Sequence, residues 1–317
     1  MKLFLQELGT VPSEKLAVAV ISDPEWDGQQ TGSSMPGVVD LCQRLGYSLL
    51  AEKDVAASTS LEFIEQNDSN IVMVLGWRSI IPESFLARFG GLVFNMHTAD
   101  LPRFRGAGGF SWQVLHNINE VCITFHQMTA KLDAGDIWFQ SRATISEEKV
   151  YPQSVLTERF NLCRNTAFPQ LVSYLTSAKE IELRAQQIDD VEFYPILNTP
   201  TNGLIDFSWN VEAVESFIRA FSYPYPGASF QYADKVFRVR ESTVMRKEQY
   251  VHPFCLGLLA NVTKAGIHVL LENGVLRFEN ITDETGTEVP FDRFRVGNRF
   301  FNTPEQLLAA KLYRAPN

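Results

Sequence analysis

The longest uninterrupted apolar run covers only residues 16–21, far short of the roughly 20 residues a helix needs to cross a bilayer. Gln6 and Glu7 interrupt the N-terminal Leu3-Phe4-Leu5, so no apolar core of a signal peptide is present. Only four cysteines occur in 317 residues (Cys42, Cys122, Cys163 and Cys255), and none forms a C-x-x-C pair. That scatter argues against a disulfide framework and a zinc site, and suits reduced thiols in the cytoplasm. No G-x-G-x-x-G follows the first predicted strand, which argues against a nicotinamide dinucleotide site. Low-complexity tracts and internal repeats are absent. Lys and Arg are missing from residues 16–43, where Asp23, Glu25, Asp27 and Asp40 stand, and the net charge is −9. A chain of that charge does not attract a nucleic-acid backbone, so no nucleic-acid partner is expected.

What is present is a patterned chain too long for one core. In the first half, short β-branched runs (15–22, 70–76, 91–97 and 121–128) alternate with stretches at helical spacing (37–45 and 82–89). A long helix is predicted over about 153–177. Strands alternating with helices predict an α/β fold with a doubly wound, mostly parallel sheet of Rossmann type. Pro195, Pro200 and Asn202-Gly203 punctuate a stretch without periodicity, which places a linker there. A helix over 211–221 and five short strands (228–232, 235–240, 257–263, 266–271 and 275–281) then predict a smaller β-rich, barrel-like C-terminal domain. The expected division is 1–195 and 196–317.

The chemistry concentrates at one strand end. Residues 91–97 close on Asn95-Met96-His97, and alternation puts Asn95 and His97 on the same side of the strand. A loop rich in Pro and Gly follows (Leu101-Pro102-Arg103-Phe104-Arg105-Gly106-Ala107-Gly108-Gly109), able to bring backbone close to a ligand. The next strand feeds Leu132-Asp133-Ala134-Gly135-Asp136, and adjacency in one sheet would bring Asp133 near His97. An amide, an imidazole and a carboxylate suit acyl transfer to an amine. Asn95 and a protonated His97 could donate to the oxyanion of the tetrahedral intermediate, while Asp133 takes the amine's proton. Taken singly, Asn95 and Asp133 read as turn residues and His97 as a hydrogen-bonded strand-end histidine. His126, inside an apolar strand, reads as a satisfied core or supporting histidine. Arg105 could bind phosphate or pair with a local carboxylate, and Trp112 reads as packing.

The strings FNMH, LPRFRGAG and ITFHQM with LDAGDI resemble the N10-formyltetrahydrofolate-dependent formyltransferases. The resemblance implies catalytic roles for Asn95, His97 and Asp133. It implies folate contacts, largely through backbone, at Ser79, Ile80 and Ile81 and at Thr129, Ala130, Lys131 and Leu132. N10-formyltetrahydrofolate is then the formyl donor, and no metal is implied. Asn202-Gly203-Leu204-Ile205-Asp206-Phe207 and Tyr223-Pro224-Tyr225-Pro226-Gly227-Ala228 are similar to the family's C-terminal domain. The second string resembles most the enzymes acting on nucleotide-linked 4-amino sugars, such as the amino-arabinose enzyme. One departure is Thr98-Ala99-Asp100-Leu101-Pro102, where the family usually has Ser-Leu-Leu-Pro; it bears on the acceptor rather than on the reaction.

The expected partner is therefore a nucleotide-linked amino sugar. The rival readings are a methionyl-tRNA formyltransferase, a formyltetrahydrofolate hydrolase with water replacing the amine, and a degenerate folate-binding module without activity. The tRNA enzymes usually carry a basic early insertion, which the acidic residues 16–43 do not supply. No membrane partner is expected. The C-terminal domain is expected to bind acceptor or to form a homodimer.

Overall fold

The computed structural model describes residues 1–12, 16–23, 37–77, 79–107, 109–177, 180–187, 189 and 191–313. Lys15, Glu25, Asp27 and Gly108, which enter the sequence reading, lie outside these. Helix α1 (Lys2–Leu8) precedes an alternation of β1 (Ala19–Ser22), α2 (Val38–Leu45), β2 (Ser48–Ala51), α3 (Ser58–Gln66), β3 (Val72–Val74), α4 (Glu83–Arg88) and β4 (Val93–His97). Strand β1 pairs in parallel with β2, and β3 with β4. Helical crossovers return the chain to the same edge, so joined strands run the same way.

Beyond β4 the direction changes. A two-residue strand, β5 (Arg105–Gly106), and helix α5 (Phe110–Leu115) lead to β6 (Glu120–Gln127), which runs antiparallel to β4. Strand β7 (Ile137–Thr144) runs antiparallel to β6, giving the order β3-β4-β6-β7. The α/β class of the sequence reading holds, with a mixed sheet, because the short 128–136 turn can only join antiparallel neighbours. Val93 and Phe94 are fully buried, as is every side chain of β6 from Val121 to His126. This sheet packs on α6 (Pro152–Leu162), which continues through a π-helical turn at Cys163–Ala167 into α7 (Phe168–Leu175). Pro152 opens that long helix, where a missing N–H costs nothing.

The stretch read as a linker is partly structured. Strand β8 (Phe193–Tyr194) pairs in parallel with β5, and α8 (Thr199–Asn202) follows. Helix α9 (Val211–Ala220) is capped by Asn210, whose side chain accepts from the Ala213 N–H at 2.8 Å. Strands β9 (Ala228–Tyr232), β10 (Lys235–Lys247), β11 (Leu259–Thr263), β12 (Gly266–Leu271) and β13 (Gly274–Asp283) form one antiparallel sheet, ordered β11-β12-β13-β10-β9. Residues 299–301 bond to both of its edges, Arg299 facing Leu258 and Phe301 facing Gln231. That bridge closes the sheet into a barrel around Phe230, Phe237, Phe278 and Phe300, and α10 (Pro304–Leu312) ends the described chain.

Helix α9 joins the two parts. Ser111 Oγ of α5 donates to the Ala220 carbonyl at 2.7 Å. Arg219 donates to Val150 O at 2.7 Å, to Asn117 Oδ1 at 2.8 Å and to Glu215 Oε2 at 2.9 Å, so its buried charge is fully paired. The α/β part and the barrel therefore share one continuous apolar core behind the glycine-rich loop. Among the described residues no helix is long and apolar enough to cross a membrane.

Candidate active site

Strand β4 is apolar where it enters the sheet and polar where it leaves. Asn95 and His97 project to one side, and Met96 packs into the core on the other. Because β4 and β6 are antiparallel, Asn95 lies opposite His126, while the end of β6 lies beside Phe94 rather than beside His97. Asp133 therefore does not arrive from an adjacent strand end, as the sequence reading expects. The turn after β6 folds back to deliver it. Gly135 is what permits this: a Cβ there would lie 1.9 Å from the Gln127 carbonyl oxygen. Asp133 itself adopts a left-handed backbone (φ 48°).

The result is a compact polar cluster. The Asp133 carboxylate lies 3.6 Å from His97 Nδ1 through Oδ2 and 3.6 Å from His126 Nε2 through Oδ1. Oδ2 also accepts the Gly106 N–H at 2.8 Å. His97 and Asp133 are only about a tenth exposed, at 11% and 9% of their side chains. The structure thus brings together all three residues expected to react.

Hydrogen bonds to carbonyls fix the imidazole tautomers. His97 Nε2–H donates to Phe104 O at 2.8 Å, leaving the Nδ1 lone pair toward Asp133. His126 Nδ1–H donates to Gln127 O at 2.9 Å, and its bare Nε2 accepts from Asn95 Nδ2 at 3.2 Å. The Asn95 amide is therefore held with one N–H committed and one free. Burial pushes the His97 pKa below its ordinary value, against the opposing pull of Asp133. For His126 burial likewise outweighs the pull of Asp133 and brings the pKa down to about 4. The lowered pKa favours a neutral His97 ring in the free protein, whereas the sequence reading has it protonated.

Several supporting residues escape the sequence reading. Phe104 holds a left-handed backbone (φ 57°), costly for a bulky residue, and that turn aims its carbonyl at His97. Its ring stacks on Tyr194 of β8 at 4.9 Å, which anchors it. Gln186 donates to Asp133 O at 2.9 Å and to Gly135 O at 2.7 Å, and accepts from Arg105 at 2.7 Å. Arg105 is thereby engaged by an amide rather than by a carboxylate among the described residues. Trp112 donates to Pro195 O at 2.8 Å and packs on Tyr194, in keeping with a packing role. Sequence offers little sign of Gln186, a polar residue in an aperiodic stretch; the aromatic at 104 within the loop is the one available signal.

The residues expected to contact folate flank this cluster. Ser79, Ile80 and residues 129–132 are exposed, Ile80 at 80% and Leu132 at 62%, whereas Ile81 turns into the small core beside Val74 and Phe85. Met128 packs on that same core, which ties the two segments to one patch. Among the described residues no group of three or more His, Cys, Asp and Glu is disposed to hold a metal.

Residues 5–172 match the family described as formyl transferase, and residues 198–299 match its C-terminal domain. The chain belongs to the formyl transferase family. A methionyl-tRNA formyltransferase of Rickettsia felis is 26% identical over 240 residues, covering 75% of this formyl transferase and 74% of that protein. The solved structure of WlaRD, a sugar 3N-formyl transferase in the presence of dTDP and 5-N-formyl-THF, superposes with a TM-score of 0.63 at 14% identity. That likeness covers 87% of this chain and 92% of WlaRD. HypX of Aquifex aeolicus superposes with a TM-score of 0.53 at 16% identity over 80% of this chain, which spans 44% of HypX's length. These structures share the fold. As a formyl transferase, the chain moves a one-carbon acyl group.

Proposed function

We propose that this formyl transferase carries the formyl group of N10-formyltetrahydrofolate to the primary amine of a nucleotide-linked amino sugar, with Asn95, His97 and Asp133 as the reacting residues. The observation that carries this reading is the convergence of one free amide N–H, one bare imidazole nitrogen and one carboxylate within a buried cluster.

The amine lone pair attacks the formyl carbon, and the carbonyl π pair moves to oxygen, where the free Asn95 N–H stabilises it. The new ammonium gives a proton to His97 Nδ1, and the imidazolium is stabilised by Asp133 at 3.6 Å. Collapse returns the pair to the carbonyl and breaks the carbon–N10 bond. N10 takes its electron pair and the proton that His97 took from the amine, which releases tetrahydrofolate and restores the neutral imidazole. The donor lies along residues 79–81 and 129–132, whose exposed Ile80 and Leu132 offer apolar surface to an aromatic pteridine or benzoyl ring. The chain divides at about residue 195, between the two family matches, and works in the cytoplasm, where its thiols stay reduced.

A nucleotide-linked acceptor is supported by the lack of basic residues over 16–43 and by the likeness to WlaRD along nearly its whole length. The relative from Rickettsia felis keeps charged initiator tRNA as the second reading. The test is formylation of a panel of nucleotide-linked amino sugars alongside charged initiator tRNA, with formate release followed in parallel. Sugar formylation supports the proposal; formylation of tRNA alone, or formate release indifferent to any amine, overturns it.

A further inference from the structure

Arg159 projects from α6 beneath the loop that follows His97. It is 4% exposed, yet only neutral groups receive its hydrogen bonds: Gln113 Oε1 at 2.7 Å and Thr98 Oγ1 at 3.3 Å. A guanidinium has five N–H donors; two are engaged here, which leaves three. Nε is buried without a hydrogen-bond partner among the described residues. The guanidinium lies over the Phe110 ring at 4.6 Å, a contact that softens the charge without neutralising it. The titratable groups nearest in effect are Cys163, Tyr225 and Cys122, and burial pushes the two thiols up to about 11 and about 12, so neither is an anion at neutral pH. Burial also pulls Arg159 down to about 10, leaving it charged.

Arg219 shows how the same chain treats a buried guanidinium otherwise, with Glu215 at 2.9 Å. Arg159 forms no such ion pair among the described residues. A desolvated charge left in that state is strongly unfavourable unless a bound anion completes it. The approach is at Gly109: its chain neighbours apart, a Cβ there would meet only Arg159 NH1 within 4 Å among the described residues, at 3.8 Å. Thr98, Gly109, Phe110 and Tyr225 around it are all partly exposed.

We propose that Arg159 receives a phosphoryl group of the acceptor, entering beside Thr98 and Gly109. The proposal rests on the nucleotide-linked acceptor argued above. In such a molecule the diphosphate lies one sugar ring from the amine, and Thr98, held by Arg159, follows His97 directly. Tyr225, from the Tyr-Pro-Tyr-Pro-Gly string, is close enough to Arg159 to interact with its charge and can add a hydroxyl donor.

The test compares wild type, Arg159→Leu and Arg159→Lys as full chains. Thermal unfolding is measured with and without millimolar inorganic pyrophosphate, and KM is measured for the nucleotide-linked sugar and for the donor. The expected result is that pyrophosphate raises the wild-type Tm and leaves Arg159→Leu unmoved. Without pyrophosphate, Arg159→Leu is at least as stable as wild type. Its KM for the nucleotide-linked sugar rises about 10- to 100-fold, the loss expected for hydrogen bonds to a charged group, with KM for the donor unchanged and Arg159→Lys between. Equal pyrophosphate shifts, an Arg159→Leu chain that fails to fold, or an unchanged sugar KM overturn the proposal as a structural arginine. If pyrophosphate binding depends on Arg159 but no sugar is formylated, the anion site stands and the acceptor reading falls.

Discussion

In the proposed mechanism His126 acts on the reaction through Asn95, and a double-mutant cycle separates that role from direct catalysis. Asn95→Ala removes the free N–H that faces the oxyanion, so kcat falls about 10²–10³-fold, the loss for one such donor. His126→Leu removes the acceptor that holds Asn95 Nδ2 at 3.2 Å and leaves the amide free to rotate. Losing that orienting bond is worth about 0.5–1.5 kcal/mol, or roughly 2- to 13-fold in rate. Because the second effect runs through the first, His126→Leu in the Asn95→Ala background changes kcat hardly at all. Steady-state formylation by the four proteins gives the coupling directly, with Tm measured for each to confirm folding. Losses that simply multiply would refute the reasoning, since His126 would then touch the reacting atoms on its own account.

Four further outcomes follow, three of them from the same cluster. His97 works as a neutral acceptor, and burial holds its pKa below the ordinary histidine value; kcat/KM therefore loses activity only on acidification, with a midpoint below about 6.5, and an acid limb at or above that value contradicts the assignment. The buried histidines also link stability to pH: His126 is depressed to about 4 when folded, so its contribution is complete above about 6.5 and fades as pH falls from there toward 4, and His126→Leu flattens that decline in Tm. Gln186→Leu frees the carbonyls of Asp133 and Gly135 and lowers kcat about 10- to 100-fold through misplacement of the carboxylate; steady-state kinetics with kcat unchanged would remove the strap from the mechanism. Arg219→Ala destabilises by about 3 kcal/mol in denaturant titration, the low end for a broken buried pair, because Lys149 still holds Glu215 at 2.9 Å.

The legible parts of this chain are those where periodicity and packing agree. Residues 211–221 read as a helix and fold as α9, because Val211, Val214, Phe217 and Ile218 recur at helical spacing and all face the core. The Asn95, His97 and Asp133 cluster is legible for another reason: each has an ordinary structural use alone, but together with the loop over residues 101–109 they stand in strings that resemble a known family. Short strands fare worse. Ser48–Ala51 is only half-buried and carries no clear period, while β7 alternates in burial but is mostly polar after Phe139, which hides that period in the sequence. Strand direction is invisible to periodicity, and hence the antiparallel β6 came only with the register of Asn95 against His126. Gln186, Phe104 and Tyr194 lie in aperiodic segments where long-range hydrogen bonds and stacking decide the structure.

The geometry separates two jobs that one loop joins. On one side, Phe104 and Gly106 hold His97 and Asp133 through backbone groups, so those contacts tolerate changes of side chain elsewhere. On the other side, Thr98 and Gly109 meet Arg159 through features that depend on side-chain identity. Strand β8 and Gln186 strap the reacting half from behind, and α9 backs α5 through Ser111 and Ala220. If Arg159 receives the acceptor as proposed, a chain built this way can exchange acceptors by altering positions 98, 109 and 159 while the reacting cluster keeps its hydrogen bonds. The departure of residues 98–101 from the family's usual string falls on the acceptor side of that division, which is where a change of substrate meets the least structural resistance.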